Sequence, residues 1–313
     1  MNIQCTMVAD NAEMYVYQAL VAMYSARKNT DAKNQMTFHF LCSPALNERN
    51  RNILKRVEEV QNDIKVFFHE IDDEMFQNIK TPYYVPVTTY YRLACADVLA
   101  DLDKCIFLDS DIVVDTDLSE LYTVVLDDSF FAGVRDLYLI STPNIAVQCL
   151  KKYKICDFEH YINCGILMMN LAEIRAKGIQ KQLYAEMKND NLWMDQDVIN
   201  RVCGGKIRLL DWTWNHVTSY SEDSYRWHVG ETNRKNRGEI YHFCGPLKPY
   251  RNKCIPYAEI WWKAAEEILQ DTEYRLLRRL SHLGDGYEKA YEIVKKCINE
   301  RNIIIIGYSN NGV

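Results

Sequence analysis

Short apolar runs and longer stretches of helical spacing take turns along the first third of the chain. "IQCTMVAD" is an apolar run that ends at Asp10, and "YVYQALVAMYSARKN" follows with apolar residues at helical spacing. "MTFHFLCS" reads as a second strand, and "ERNRNILKRVEEVQ" as an exposed, charge-rich helix. "DIKVFFHEID" is a third strand, "TTYYRLACADVLADL" resumes the helical period, and "KCIFLDSDIVV" is apolar again. Strands alternating with helices predict βαβ units, an α/β class and a mixed, mostly parallel sheet flanked by helices. Ligands of such sheets bind beyond the carboxyl ends of the strands. Asp10 and the pair Asp109 and Asp111 fall at such ends.

After Val114 the alternation is less regular. "SFFAGVRDLY" and "YINCGILMMN" predict strands, and "LAEIRAKGIQKQLYAEMK" a helix. "MDQDVINRVC" opens a helix with acidic residues in its first turn, where the helix dipole favours them. "EIYHFCGPLKPY" is a strand that breaks into a Gly-Pro turn, and the chain from "YAEIWWKAAEEILQDTEYRLLRRL" onward is helical. The pattern divides the chain into a domain over 1–255, a C-terminal helical extension over 256–300, and a strand-like tail over 301–313. That tail resembles the opening of a further βα unit: either it pairs with the main sheet or it begins a further domain of a longer protein, the second reading preferred. No internal repeat is visible.

Composition adds constraints. With 48% hydrophobic residues, 12 Gly and 7 Pro in 313, the chain has ample core and no room for a long low-complexity region. A net charge of −6 argues against a general nucleic-acid binder. Eleven cysteines without any C-x-x-C spacing read as reduced thiols of a cytoplasmic protein. The first residues lack the basic start and apolar stretch of a signal peptide, and no apolar run reaches the ~18 residues of a membrane span.

The apolar run from Cys105 to Val114 raises the question of chemistry, because Asp109 and Asp111 interrupt it. Two carboxylates two positions apart can hold one hard divalent cation where the chain bends, and the cation can bridge to a diphosphate. The same residues also suit a solvated turn. His242, in "YHFCGPLKPY", offers an imidazole as a third ligand, which favours manganese over magnesium. It equally suits a hydrogen-bonded core histidine. Gly245 would let backbone approach a phosphate, and Lys248 offers a point charge.

Five motifs in this order, "TTYYRL", "FLDSDIVV", "YINCGILMMN", "MDQDVIN" and "HFCGPLKP", resemble glycosyltransferase family 8 over roughly residues 3 to 255. Glycogenin and the bacterial lipopolysaccharide hexosyltransferases are among its members. The resemblance implies a GT-A type nucleotide-diphospho-sugar transferase fold and transfer of glucose or galactose from a UDP-sugar with retention. It implies Mn2+, with Mg2+ as the substitute, and a glycan acceptor such as lipopolysaccharide or another cell-surface saccharide, in some cases lipid-linked. By motif, Asp109, Asp111 and His242 would be metal ligands, and Arg92 would face the donor sugar or diphosphate. Asp136 and Asn163 would hold sugar hydroxyls, and Asp195 and Gln196 would lie beside the anomeric carbon. Gly245 and Lys248 would contact the diphosphate, and Asp10 the uracil or its ribose. Near Asp10 the chain departs from the family, with Glu13 where a tyrosine is usual and Tyr15 two positions on.

Two other functions fit parts of this pattern. A sugar nucleotidyltransferase should carry a Gly-rich, basic phosphate loop after its first strand, and "VADNAEMY" has neither Gly nor Lys. A non-catalytic UDP-sugar-binding module should lose metal ligands or the "MDQD" residues, and all are present. The Trp-Trp and Arg-Arg pairs between Tyr257 and Leu283 suit contact at the inner face of a membrane. Glu259, Glu266, Glu267, Asp271 and Glu273 in the same span fit an ordinary packing helix better.

Overall fold

The computed structural model describes residues 1–60, 63–76, 79, 81, 86–142, 144, 147, 152, 160–245, 248–252 and 254–282. The C-terminal end of the expected helical extension, 283–300, and the strand-like tail over 301–313 lie outside them. Strands β1 (Asn2–Ala9), β2 (Gln35–Cys42), β3 (Ile64–Glu70) and β4 (Cys105–Leu108) form where the apolar runs predict them. They are followed by β5 (Ile112–Val114), β6 (Phe131–Arg135), β7 (Ile162–Met169) and β8 (Ile207–Leu209). Last come the short β9 (His216–Val217) and β10 (Ile240–His242).

Seven strands make the main sheet in the order β3-β2-β1-β4-β7-β6-β8, and three make a second sheet, β5-β10-β9. In the main sheet β3, β2, β1 and β4 run parallel, as do β6 and β8, while β7 is antiparallel to both its neighbours. This is the mixed, mostly parallel sheet that the alternation of elements predicts. Every residue of β7 is buried, which explains the apolar run that follows Asn163: a strand covered on both faces has no solvent-facing polar side.

The helix Glu13–Asn29 is apolar nearly all round because it is enclosed on more than one side. Its core cluster also holds Trp261, Trp262, Ala265 and Ile268 of the helix Ala258–Ile268. Lys28 bonds Glu267 across these helices, and Arg56 bonds Glu273 of the following helix, Asp271–His282. The C-terminal helices therefore share the main core. None of the described helices is long and apolar enough to cross a membrane.

Three local details depart from the periodicity. The residues of "VTTYYRLA" wind as a 3₁₀ helix over Val87–Ala94, and only Cys95–Val98 is α-helical. The single helix expected from Leu171 onward is two, Leu171–Ala176 and Ile179–Glu186, broken at Gly178 in the left-handed region (φ 65°). The run Cys105–Val114 is two strands in two different sheets, and the chain changes sheet at Asp109, Ser110 and Asp111.

β10 pairs antiparallel with β5, setting His242 opposite Ile112, one residue beyond Asp111. The approach of β10 to β5 depends on Gly238, whose φ is 75° and whose absent Cβ would stand 1.9 Å from the Asp115 carbonyl oxygen. Gly238→Ala should therefore lower stability by more than the roughly 1–2 kcal/mol that a left-handed backbone costs an L-residue. Urea unfolding measures this, and an unchanged midpoint would show that the loop relaxes freely.

Candidate active site

The site is assembled where the main sheet hands the chain to the small one. Asp109 directly follows β4, and its backbone N–H donates to the Gly165 carbonyl of β7 at 2.7 Å. The β6–β7 register shifts between Gly133 and Val134, so that Gly133 faces Leu167 and Val134 faces Asn163. A bulge of this kind frees backbone groups from the ladder, and here the site uses them. The Cys164 N–H donates to Gln196 Oε1 at 3.1 Å, the Gly165 N–H to Asn163 Oδ1 at 3.0 Å, and the Cys164 carbonyl accepts from Arg92.

Gly165 is also where the two sheets touch. A Cβ there would lie 2.2 Å from Cε1 of His242 and 3.0 Å from Oδ2 of Asp109. With glycine in place, the ligand atoms of Asp109, Asp111 and His242 fall within 4.8 Å of one another. His242 Nε2 is 3.3 Å from Asp111 Oδ1 and 3.7 Å from Asp109 Oδ2. The two carboxylates keep 27% and 13% of their side chains exposed, so the cluster opens outward, whereas the imidazole is buried at 2%. Two carboxylate oxygens and a ring nitrogen converging on one point form a donor set for a divalent cation.

Charge is balanced from beneath. The buried guanidinium of Arg92 reaches Asp109 Oδ1 through Nη2 and Asp195 Oδ2 through Nε, each at 2.8 Å, and stacks 4.2 Å from the centre of the Phe107 ring. Lys248, also buried, donates to Asp111 and to the Phe243 carbonyl. Burial pushes the Asp109 carboxyl up, with Arg92 pulling against it. Burial acts on Asp111 too, but Lys248 and His242 outweigh it and hold that carboxyl well below the usual range. Asp195 is raised by burial to about 7 despite Arg92.

A polar cradle adjoins the cluster. Asp136 caps the helix Leu137–Ser141 through the Leu139 N–H, and its Oδ2 accepts from Asn163 Nδ2 at 3.4 Å and Gln196 Nε2 at 3.0 Å. Gln196 belongs to the helix Asp195–Cys203, and the turn before that helix is tightly specified. Asp197 accepts from the Leu192 and Trp193 N–H groups and from the Tyr161 hydroxyl, at 2.6 to 2.9 Å. That grip accompanies a positive φ of 54° at Met194 and delivers Asp195 and Gln196 inward. The acidic first turn thus faces the interior, with Asp195 and Asp197 both buried, where the sequence pattern also allowed simple dipole-facing surface charges.

Of the residues singled out by sequence, Arg92, Asp109, Asp111, Asp195, His242 and Lys248 are joined by direct ion pairs or close charge contacts. Asp136, Asn163 and Gln196 are joined by hydrogen bonds. Asp10 lies at the end of β1, beside β4, and bonds the Ala12 N–H and the Thr88 hydroxyl. Gly245 follows β10 with φ 73° and open space where a side chain would be. Sequence reasoning missed Gly165 and Asn215. An isolated glycine inside an apolar strand signals a bulge or a close backbone approach, so Gly165 was findable. Nothing in "WTWNHV" marks Asn215.

Comparison with known proteins gives this geometry a setting. The profile described as glycosyl transferase family 8 matches residues 5–254. A protein of Haemophilus influenzae assigned provisionally to the glycosyltransferases is 28% identical over 250 residues, covering 77% of this chain and 71% of its own. The lipopolysaccharide 1,2-glucosyltransferase of Escherichia coli is 26% identical over 251 residues, with the same coverage. Among solved structures, the galactosyltransferase LgtC with donor and acceptor sugar analogs superposes with a TM-score of 0.74 at 23% identity. That match covers 88% of this chain and all of LgtC. The bifunctional glycosyltransferase WbbM also reaches 0.74, at 19% identity over 88% of this chain and 51% of its own. These likenesses establish the GT-A fold.

The raised carboxyl of Asp195 gives a pH test in metal-free protein. Folding raises its proton affinity, so the stability it contributes is complete below about pH 4 and is lost as pH rises through about 7. Chelator-treated protein should show a Tm that falls between about pH 4 and about pH 7, and Asp195→Asn should fall less. Equal slopes would refute the assignment.

Proposed function

The chain belongs to glycosyl transferase family 8, and from that premise we propose a retaining hexosyltransferase that uses manganese and a UDP-sugar. The observation that carries this reading is the convergence of Asp109, Asp111 and His242, with Lys248 against one carboxylate and the Asp136–Asn163–Gln196 cradle alongside. The mixed oxygen and nitrogen donors suit manganese better than magnesium, which favours oxygen alone. Asp109, Asp111 and His242 would hold the ion, which would neutralise charge on the diphosphate leaving group.

The remaining roles belong to the chain's own groups. Lys248 adds a fixed positive charge for the diphosphate, and Gly245 lets backbone approach it without a side chain intervening. Asp136 and Asn163 take the sugar hydroxyls, Asp10 the uracil or ribose, and Arg92 serves the donor by holding Asp109 in place. The side chains nearest the anomeric carbon are poor nucleophiles as arranged. Gln196 carries an amide already bonded to Cys164 and Asp136, and the Asp195 carboxylate is occupied by Arg92. A retaining glycosidase uses a carboxylate positioned to attack the sugar. Here the arrangement favours attack from the leaving-group face. The bond from sugar C1 to the diphosphate oxygen breaks, the acceptor oxygen bonds C1 on that face, and the acceptor proton passes to the departing diphosphate.

The proposed acceptor is a glycan of the lipopolysaccharide class, a choice supported by the name of the Escherichia coli relative. The proposed setting is the cytoplasm, with contact at the inner membrane face where the acceptor is lipid-linked. The domain limits 1–255 and 256–300 are part of this proposal.

A panel of UDP-sugars incubated with and without manganese should give slow UDP release from one UDP-hexose only. Release should need the metal and disappear in Asp109→Asn. Folded protein that neither binds nor releases UDP would sink the transferase reading in favour of a scaffold without activity. In a separate test, Gly165→Ala should weaken manganese binding at least about tenfold, because its Cβ displaces His242. Titration followed by electron paramagnetic resonance reads this directly, and wild-type affinity would mean that His242 is not a ligand.

A further inference from the structure

An imidazole can offer Nε2 to a cation only when its proton sits on Nδ1. We propose that Asn215, which lies outside the five motifs quoted above, is the positioning residue that enforces this state. It also ties the cation site to the sugar cradle. The inference rests on the metal-site reading above.

The direction of each hydrogen bond follows from one backbone donor. The Gly165 N–H points at the Asn163 side chain at 3.0 Å, so the atom facing it is the carbonyl oxygen Oδ1. The same oxygen lies 2.9 Å from the Asn215 amide, which must therefore present its amino group, Nδ2. Asn215 Oδ1 is left to face His242 Nδ1 at 2.9 Å. A carbonyl oxygen only accepts, so the proton is on Nδ1 and the Nε2 lone pair looks toward Asp111 and Asp109. Turning the Asn215 amide over would set two acceptor oxygens against each other at Asn163. The Asn163 amino group continues the chain to Asp136 Oδ2, which also accepts from Gln196. One run of hydrogen bonds thus joins His242, Asn215, Asn163, Asp136 and Gln196.

Asn215 is held as a positioning residue should be. It is 1% exposed, so no solvent can replace it. It follows the 3₁₀ turn Trp212–Trp214, donates its N–H to the Trp212 carbonyl and accepts the Tyr225 hydroxyl on its own carbonyl. Trp212 stacks on Tyr225 with centroids 5.1 Å apart. The next residue begins β9, whose Val217 pairs with His242, so Asn215 reaches the imidazole from the neighbouring strand.

The test compares Asn215→Leu, which removes both bonds at similar volume, with Asn215→Asp, which keeps an acceptor for Nδ1 and loses the donor to Asn163. Manganese affinity is measured on the metal-free full chain by electron paramagnetic resonance, and donor use by UDP release. Asn215→Leu should lose about 10- to 100-fold in manganese affinity, the usual effect of removing a partner behind a ligating histidine. Asn215→Asp should recover that affinity yet keep a donor KM raised about tenfold, because its link to Asn163 is gone. Folded variants with wild-type affinity and KM would overturn the inference. If Asn215→Leu does not fold, Asn215→Asp decides alone: a raised KM at normal metal affinity supports the link, and no change in either overturns it. Wild-type protein that binds no manganese would overturn the metal-site reading itself, and the role of Asn215 with it.

Discussion

Arg92 holds Asp109 and Asp195 together beneath the ends of β4 and β7, and the rest of the site is arranged around that bridge. Carboxylates taken out of water must be neutralised by the protein or by a ligand. Around Arg92 and Lys248 stand Asp109, Asp111 and Asp195, and three carboxylates against two cations leave one negative charge when all are ionised. A guanidinium serves here better than an ammonium would, because its planar fork reaches two acids and a carbonyl at once while its face lies on Phe107. The excess negative charge that remains faces outward through the partly exposed Asp109 and Asp111. That charge pattern suits a divalent cation at Asp109, Asp111 and His242.

The geometry that brings these groups together comes from a change of sheet. A single continuous strand over Cys105–Val114 would set Asp109 and Asp111 on one face of the main sheet, away from His242. Because the chain leaves the main sheet after Leu108 and enters the small one at Ile112, the two aspartates occupy the seam, and β10 can lay His242 across it. The bulge in β7 turns the neighbouring backbone toward the same seam, and Gly165 leaves the space that the imidazole fills. Pairing, bulge and glycine are three separate features that meet at one point, and none can be moved without disturbing the ligand distances.

The first turn of the helix Asp195–Cys203 follows a different logic. Asp195 and Asp197 look equivalent in "MDQD", yet one is drawn to Arg92 and the other secures the turn at Leu192 and Trp193. Asp197 spends its hydrogen bonds on structure, and through it Asp195 and Gln196 point inward from the first turn of a helix. The strained backbone at Met194 is the local cost of that placement.

Much of this was legible before any coordinates. The alternation of apolar runs and helical spacing implied strands β1 to β4 and a mostly parallel sheet, because a strand and a helix bury their faces at different periods. The abrupt end of two apolar runs in aspartate pointed to the carboxyl edge of that sheet, since a buried unpaired carboxylate is too costly to leave inside a strand. Ordered motifs then named Asp109, Asp111, His242, Asp136, Asn163 and Gln196, whose side chains the structure brings together in two adjoining groups. What the residue order could not express was anything that depends on two distant segments meeting. The change of sheet at Ser110, the shifted β6–β7 register, the sharing of Arg92 between Asp109 and Asp195, and the approach of Asn215 to His242 are all long-range pairings. Local periodicity records how a segment buries its own side chains. It carries no record of which partner waits on the other side, and that is why the roles of Gly165 and Asn215 were decided by the tertiary structure alone.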